Sequence, residues 1–262
     1  MRGFLALLFL FSLQLEAYTP FNGLYASMDI GPVYNQIEIN DFIADLGFLD
    51  LSDINTLETE FSHTAEEMAP SVGLSFGWGR QFCSSLYFGV CAGVHLCEFD
   101  VHARFQADFQ LVGDDPLLNR IKDRNRVSLN FCEYTVDARP GFVVGCDTLL
   151  FGIGGLAFNR ISLDCETEGV LVTNSVDEAV MTPTSEALTT LGLRGGFGLE
   201  QKISPCVSVV LTYVYTHYLV RPSAMQKRIV RDANGMDIFS VLSSTQARAR
   251  RQSTSIGLSY YF

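Results

Sequence analysis

The fold is decided by residues 86–111, which read LYFGVCAGVHLCEFDVHARFQADFQL. The apolar residues of this stretch stand at even-numbered positions as far as Leu96 and at odd-numbered positions from Phe99 onward. Successive side chains of a β-strand point to opposite faces, so the stretch predicts a strand whose apolar face changes side near Cys97. A strand that leaves hydrocarbon for water would show this change, because its apolar side chains would then turn inward. A β-bulge is the alternative explanation.

Residues 127–144 show the same change in reverse. Their apolar residues are odd-numbered as far as Phe131 and even-numbered from Tyr134 onward. The lipid-facing parts of the two segments would then be 86–96 and 134–144, which fits the roughly 9–11 residues of a tilted transmembrane strand. Beyond that boundary the two strands are predicted to continue together as a protruding ribbon.

Period-two alternation recurs in eight segments, each with one apolar, uncharged face. A lysine or arginine on a lipid-facing surface at mid-bilayer costs about 2–4 kcal/mol, so uncharged faces are expected of strands in lipid. No run of eighteen apolar residues follows the N-terminus, which argues against a helical membrane protein. The predicted lipid faces take every second residue of 24–30, 72–78, 86–96, 134–144, 149–157, 191–199, 207–215 and 254–262.

Small and polar residues dominate the intervening positions, which would face the interior of a closed barrel. Eight strands enclose a lumen just wide enough to be filled by side chains, and buried charges are tolerated when they are paired. We therefore predict a lumen ion-pair network, with a narrow channel for small solutes as the alternative. Its members are Asp29, Asp137, Arg139, Arg194 and Glu200.

The connections between these segments alternate in length. Three are short, at 80–84, 145–148 and 203–206, and four are long, at 31–67, 108–126, 159–188 and 219–250. The predicted fold is all-β, an eight-stranded antiparallel up-and-down transmembrane β-barrel with short periplasmic turns and long extracellular loops. A further hairpin in 31–67 would raise the count to ten.

Residues 1–17 predict a cleavable secretory signal peptide, with Arg2 as the positive region, 4–15 as the apolar core and Ala17 before the cleavage site. The barrel domain is then 18–262. The formal net charge of −11 argues against nucleic acid as a partner, because phosphate backbones attract lysine and arginine.

The chain ends in STSIGLSYYF, with Phe262, Tyr260 and Leu258 alternating at its terminus. This ending resembles the C-terminal signature of bacterial outer-membrane barrels, which the barrel-assembly machinery reads. The layout of the whole chain resembles the small eight-stranded group that contains the OmpA transmembrane domain, OmpX and the Opa adhesins. The resemblance implies a Gram-negative outer membrane reached through the periplasm, with the lipid bilayer and lipopolysaccharide as surroundings.

The seven cysteines include one in each short turn, at Cys83, Cys146 and Cys206. Neighbouring turns lie two strands apart, ~10 Å along the sheet, and a disulfide spans only about 4.4–6.8 Å between Cα atoms. Disulfides to other barrels or envelope proteins are therefore easier than disulfides within one barrel. This cysteine usage resembles the cross-linked envelope of chlamydiae.

The predicted loops carry opposite charges, acidic in 31–67 and basic in 108–126 and around 219–251. The favoured function is a non-enzymatic, structural envelope component whose loops serve adhesion or bind a host surface molecule. The alternatives are that the loops neutralise each other or pair with lipopolysaccharide phosphates. A rim-located lipid A-modifying enzyme using His217 is a further alternative.

No catalytic residue, metal site or cofactor is predicted. His217 has no recognisable nucleophile or carboxylate beside it. His95 and Cys97 could bind one ion together, but Cys91 lies too far along the strand, and two ligands do not make a zinc site.

Overall fold

A computed structural model describes residues 20–48, 59–82, 85–97, 99–110, 118–129, 131–145, 147–173, 176–219, 223–231 and 237–262. The predicted signal peptide, Cys83 and Cys146 lie outside these residues. Among the residues described, no helix is long and apolar enough to cross a membrane. The strands are β1 Gly23–Phe48, β2 Thr59–Phe82, β3 Leu86–Cys97, β4 Phe99–Gln110, β5 Leu118–Leu129, β6 Cys132–Val144, β7 Thr148–Thr173, β8 Val176–Lys202, β9 Val207–Tyr218, β10 Ser223–Arg231 and β11 Asp237–Tyr261.

These strands close into an antiparallel ring of eight, in the order β1, β2, β3, β6, β7, β8, β9, β11 and back to β1. Strand β4 continues β3, β5 leads into β6, and β10 follows β9. The predicted eight-stranded barrel is confirmed. The described parts of 31–67, which are 31–48 and 59–67, lengthen β1 and β2 and add no strand to the ring.

The outward faces match the sequence prediction in seven of the eight segments. The belt of exposed apolar side chains includes Phe76, Phe88 and Val136, so the surface of the ring is apolar. The predicted face of 149–157 is wrong, because Phe151 is only 4% exposed, whereas Leu150 is 45% exposed. This segment carries large apolar residues at both parities, so its alternation does not identify the lipid side.

Most residues of the four predicted long connections belong to strands. Strands β1 and β7 are each 26 residues long, and β8 is 27. At ~3.3 Å per residue and a tilt of about 45°, 26 residues rise roughly 60 Å, whereas the hydrocarbon core is ~30 Å thick. About half of the molecule therefore stands beyond the lipid. We call this the extended end, and the opposite end, with the three short connections, the turn end.

The interior has three layers, defined by which inward side chains fill it. The turn-end layer is apolar and aromatic, and its buried members include Phe21, Tyr25, Tyr87, Leu149, Phe151 and Tyr261. The ionic layer in the middle is polar and charged, and its members include Glu133, Asp137, Arg194 and Arg251. The extended-end layer is apolar again, and its members include Ile37, Ile39, Val127, Leu129, Ile161, Leu163, Ala247 and Ala249.

The change of apolar face in 127–144 marks the boundary between two of these layers. Odd-numbered side chains are buried on both sides of the change, with Leu129 above it and Glu133 and Thr135 below it. The inward side of the strand therefore stays the same, and only the chemistry of that side changes. Leu129 pairs with Ile161 and Tyr134 with Phe158, a shift of two residues, and a two-residue shift does not exchange the faces.

Above the ring, the wall divides into two four-stranded sheets. The first sheet is β10–β11–β1–β2, and the second is β4–β5–β7–β8. Among the described residues, β2 pairs with a neighbour other than β1 only from Ser71 onward, and β8 pairs with β9 only from Gly192 onward. Two seams result, one between β2 and β4 and one between β8 and β10. The apolar extended-end layer packs between the two sheets.

Irregularities in the strands account for the seams. Strand β9 pairs His217 with Arg250, but β10 pairs Ser223 with Gln246, so two extra residues shift β10 along β11. The shift between β5 and β6 has the same size. Extra residues of this kind bend a strand and increase its twist. The strand segments above the ring therefore turn away from one of their neighbours. Pro70 lies just before the first residue of β2 that pairs with β3, in the part of β2 that pairs with β1 alone. As a proline it has no N–H to donate across the seam.

Candidate functional site

The ionic layer is centred on Glu133, which is 2% exposed. Its carboxylate lies 2.9 Å from Nη1 of Arg194 and 3.2 Å from Nη1 of Arg251. The Tyr218 hydroxyl donates a hydrogen bond to the same carboxylate. One buried acid therefore holds two buried guanidinium groups, which belong to β8 and β11 on other walls of the barrel.

Arg194 links this acid to a second one. Its Nε lies 3.0 Å from Oδ1 of Asp137, and Asp137 and Glu133 both belong to β6. Gly155 stands opposite Asp137 on β7, and a Cβ there would lie 2.2 Å from Oδ1. Glycine at this point therefore leaves room for the carboxylate. Charges buried this deeply persist only when they are paired, so we expect the network to crosslink the barrel from within.

Asp29 and His95 lie on either side of Gly73. The three residues occupy one register row across β1, β2 and β3. A Cβ at Gly73 would lie 2.5 Å from Oδ2 of Asp29 and 2.7 Å from Nδ1 of His95, so only glycine leaves space for both side chains. Asp29 and His95 also line the cavity beside the Glu133 network.

A separate set of charged groups lies in the turn-end layer. Glu200 accepts a hydrogen bond from the Tyr261 hydroxyl at 2.7 Å and another from Ser208. The Lys202 ammonium lies 3.4 Å from the centre of the Tyr261 ring. Arg139 lies 5.5 Å from the centre of the Tyr25 ring and 5.2 Å from that of Phe151. Cation–π contacts in desolvated surroundings contribute up to ~2 kcal/mol.

The five predicted network residues therefore belong to three groups. The structure brings Asp137 and Arg194 together, places Asp29 beside His95, and sets Arg139 and Glu200 against rings of the turn-end layer. Arg139 also lines one cavity together with Asp29, Asp137 and Arg194. Sequence reasoning missed Glu133, Arg251 and Tyr218. Both charged residues have the inward parity of their strands, a signal that would have identified them.

A cavity of about 40 Å³ lies within the ionic layer. Its lining includes Asp29, His95, Glu133, Arg194 and Arg251. One water needs ~10–15 Å³ measured in this way, so the cavity has room for roughly three or four waters. Buried apolar side chains fill the lumen on both sides of it. The arrangement can hold water and charge, and it forms no continuous aqueous path among the described residues.

The remaining sequence-predicted residues that the structure describes lie on the outer surface. Phe262, Tyr260 and Leu258 are all exposed along one face of the C-terminal segment. Cys206 is exposed at the turn end. His217 is half-buried on the outward side of β9, directly opposite Arg250.

The extended end carries outward ion pairs between neighbouring strands. Arg126 of β5 donates to the Asp100 carboxylate of β4, and this contact raises the pKa of the guanidinium above its usual value. Glu38 of β1 lies 3.7 Å from Arg248 and 3.9 Å from Arg250 of β11. Exposed pairs contribute little to stability, so these charges are better understood as surface chemistry.

No family model and no curated protein matches this sequence. The chain is similar in structure to the outer-membrane protein OprG of Pseudomonas aeruginosa, at 10% identity and a TM-score of 0.41 over 94% of this chain and 100% of that one. It is similar to the outer-membrane protease OmpT of Escherichia coli, at 11% identity and a TM-score of 0.39 over 95% and 99%.

A third similar structure is the attachment invasion locus protein Ail of Yersinia pestis, solved with the heparin analogue sucrose octasulfate. The identity is 14% and the TM-score 0.29, over 87% of this chain and 99% of that one. The class is defined by the strands themselves, a closed antiparallel ring of eight with an apolar exterior and a charged interior. This is the architecture of small bacterial outer-membrane barrels.

Proposed function

We propose that this chain is a non-enzymatic structural protein of a Gram-negative outer membrane, whose extended end presents a binding surface for adhesion. The observation that carries this proposal is the filled lumen. Apolar layers close the barrel on both sides of the ionic layer. The strands beyond the lipid therefore form two sheets packed around an apolar core, and they do not line the mouth of a channel.

The proposal predicts no steady conductance. Purified barrel reconstituted in planar bilayers should give no stepwise current, because the turn-end layer blocks the lumen. A variant combining Phe151→Ala and Tyr25→Ala with Ile161→Ala and Leu163→Ala, which removes large side chains from both apolar layers, is the positive control for an opened lumen. Currents in the parent protein that equal those of the opened variant would favour the channel alternative.

The binding surface is assigned to the second sheet. Strand β5 carries four basic residues on alternate positions, at Arg120, Lys122, Arg124 and Arg126, and it stands between β4 and β7 beyond the lipid. Deleting 100–128 should abolish binding of expressing bacteria to host cells. Deleting 40–62, which removes the outer parts of β1 and β2 in the first sheet with the residues between them, should leave binding intact. Equal binding by both variants and the parent would contradict the assignment.

The rim enzyme is the less favoured alternative. Arg250 stands directly opposite His217 and supplies positive charge, whereas a general base is oriented by a carboxylate or another acceptor. A lipid A mass spectrum unchanged by expression supports the non-enzymatic proposal. A new lipid A species that disappears in His217→Ala would overturn it.

Cross-linking to other envelope proteins rests on the cysteines of the turn end. Cys206 is exposed there and could reach a neighbouring protein. Non-reducing gels of isolated membranes should show reducible species larger than the monomer, and Cys206→Ser should weaken them. A band of monomer alone in both proteins would end this part of the proposal.

A further inference from the structure

Among the described residues, the β8 and β10 edges that face each other across their seam have no ladder to a second neighbour, although their Cα atoms come within 8 Å at a few points. Strand β10 pairs with β11 over Ser223–Arg231, and the structure describes no second ladder for it. Strand β8 has β7 along its full length but has β9 only from Gly192 to the turn end. Unpaired edges of this length are templates for pairing with another chain.

The two edges carry opposite charge. The part of β8 above Gly192 contains three acidic residues and no basic one, Asp177, Glu178 and Glu186. Strand β10 contains three basic residues and no acidic one, Lys227, Arg228 and Arg231. The other seam lacks this contrast, because β2 is acidic above Ser71 and β4 carries acidic as well as basic residues.

The strand directions are also complementary. Strand β8 runs from the extended end to the turn end, whereas β10 runs the opposite way. A membrane gives every copy of the chain the same orientation, so a second copy can approach only by rotation about the membrane normal. A two-fold rotation places the β8 edge of each copy opposite the β10 edge of the other, antiparallel and at the same height.

We propose that this chain forms a symmetric dimer in the membrane, in which the β8 and β10 edges of one copy pair with the β10 and β8 edges of a second copy. Both contacts are formed at once, and each brings an acidic edge to a basic edge. The dimer does not depend on the proposed adhesive role, because that role is assigned to β4 and β5 of the second sheet.

Crosslinking between two differently tagged copies tests the proposal. One copy carries Ser185→Cys on the β8 edge, and the other carries Ser223→Cys on the β10 edge; both serines are exposed. A short, membrane-impermeant bifunctional maleimide applied to intact cells should join the two tags. The matched control replaces Ser223→Cys by Ser62→Cys, an exposed site on β2 at the other seam, and should give only the background of the parent protein.

Charge reversal distinguishes specific pairing of the β8 and β10 edges from random encounter of two copies in the membrane. Replacing the three basic residues of β10 by glutamate should lower crosslinking about tenfold, since each exposed ion pair is weak but several act together. Replacing the three acidic residues of β8 by lysine should do the same. A chain with both sets reversed should recover, because the charges are again opposite. Heat-modified migration on gels checks that each variant is folded.

Three outcomes would overturn the dimer. Equal crosslinking of Ser185→Cys to Ser223→Cys and to Ser62→Cys would mean random encounter. A link formed only within one chain that carries both Ser185→Cys and Ser223→Cys would mean that the seam closes on itself. No link in either arrangement would leave the edges to a different partner and exclude a second copy.

Discussion

The two halves of this barrel share five strands, β1, β2, β7, β8 and β11, which keep the same inward parity throughout, yet the chemistry of the two halves is opposite. In the lipid half, side chains such as Phe76 and Val136 face outward and Arg194 faces inward. In the extended half, Ile161 and Leu163 face inward and exposed positions such as Thr64 face outward. The backbone is alike in both, so the surrounding solvent decides which residues selection places on each side.

The largest effect is expected in the ionic layer. Glu133→Ala leaves Arg194 and Arg251 buried with one carboxylate fewer, and breaking a buried pair in this way costs about 3–5 kcal/mol. The free energy of unfolding in urea, measured on the barrel in lipid vesicles, should fall by that amount. The control is Glu66→Ala, an exposed acid of the extended half, which should change little. Equal effects would show that the interior charges are not coupled.

A core of the kind found in water-soluble proteins is expected in the extended half. Ile161→Ala should destabilise this half by about 2–5 kcal/mol, because Ile161 is fully buried between the two sheets. Thr189→Ala, which changes an exposed residue of the neighbouring β8, should be nearly neutral. Protease resistance of the extended strands should fall in the first variant and stay unchanged in the second. Similar resistance in both would mean that the sheets do not share a core.

A positive charge on the outer surface separates the two halves directly. Val136→Arg places the charge in the apolar belt and should cost about 2–4 kcal/mol. Ala187→Arg places the same charge on the exposed surface of β8 beyond the lipid and should cost less than ~0.5 kcal/mol. Folding yields and urea midpoints in vesicles measure both. A similar cost at the two positions would remove the distinction between lipid and water.

The smallest effect is expected at the turn end. Gly145 lies after β6 with φ of 67°, a conformation that only glycine adopts without strain. Gly145→Ala should cost ~1 kcal/mol, whereas Gly154→Ala, where a Cβ would meet no atom within 4 Å, should cost less. The difference in urea midpoint between the two variants measures the strain of the turn separately from its surroundings. A larger loss in Gly154→Ala would contradict this account of the turn.

The ring of eight and most of its lipid faces could be predicted because alternation at period two directly reports burial on one side. The segment 149–157 misled the prediction, since Leu149 and Leu150 are both apolar and only the pairing with neighbouring strands decides between them. Glu133 and Arg251 were missed because each lies at the boundary, where sequence reasoning changes from strand to loop. The two sheets and their seams depend on register shifts between strands, and such shifts leave no recognisable residue pattern in a single sequence.

The most direct test of the central claim is depth-resolved fluorescence quenching by brominated acyl chains. Trp78 is the only tryptophan, so Trp78→Phe gives a silent background. In that background Phe76→Trp, at a residue 54% exposed in the belt, should be quenched strongly by bromine in the hydrocarbon. Phe151→Trp, at a residue 4% exposed in the lumen, should be quenched far less. Equal quenching, or stronger quenching of the tryptophan at 151, would contradict a barrel with lipid outside and a packed interior.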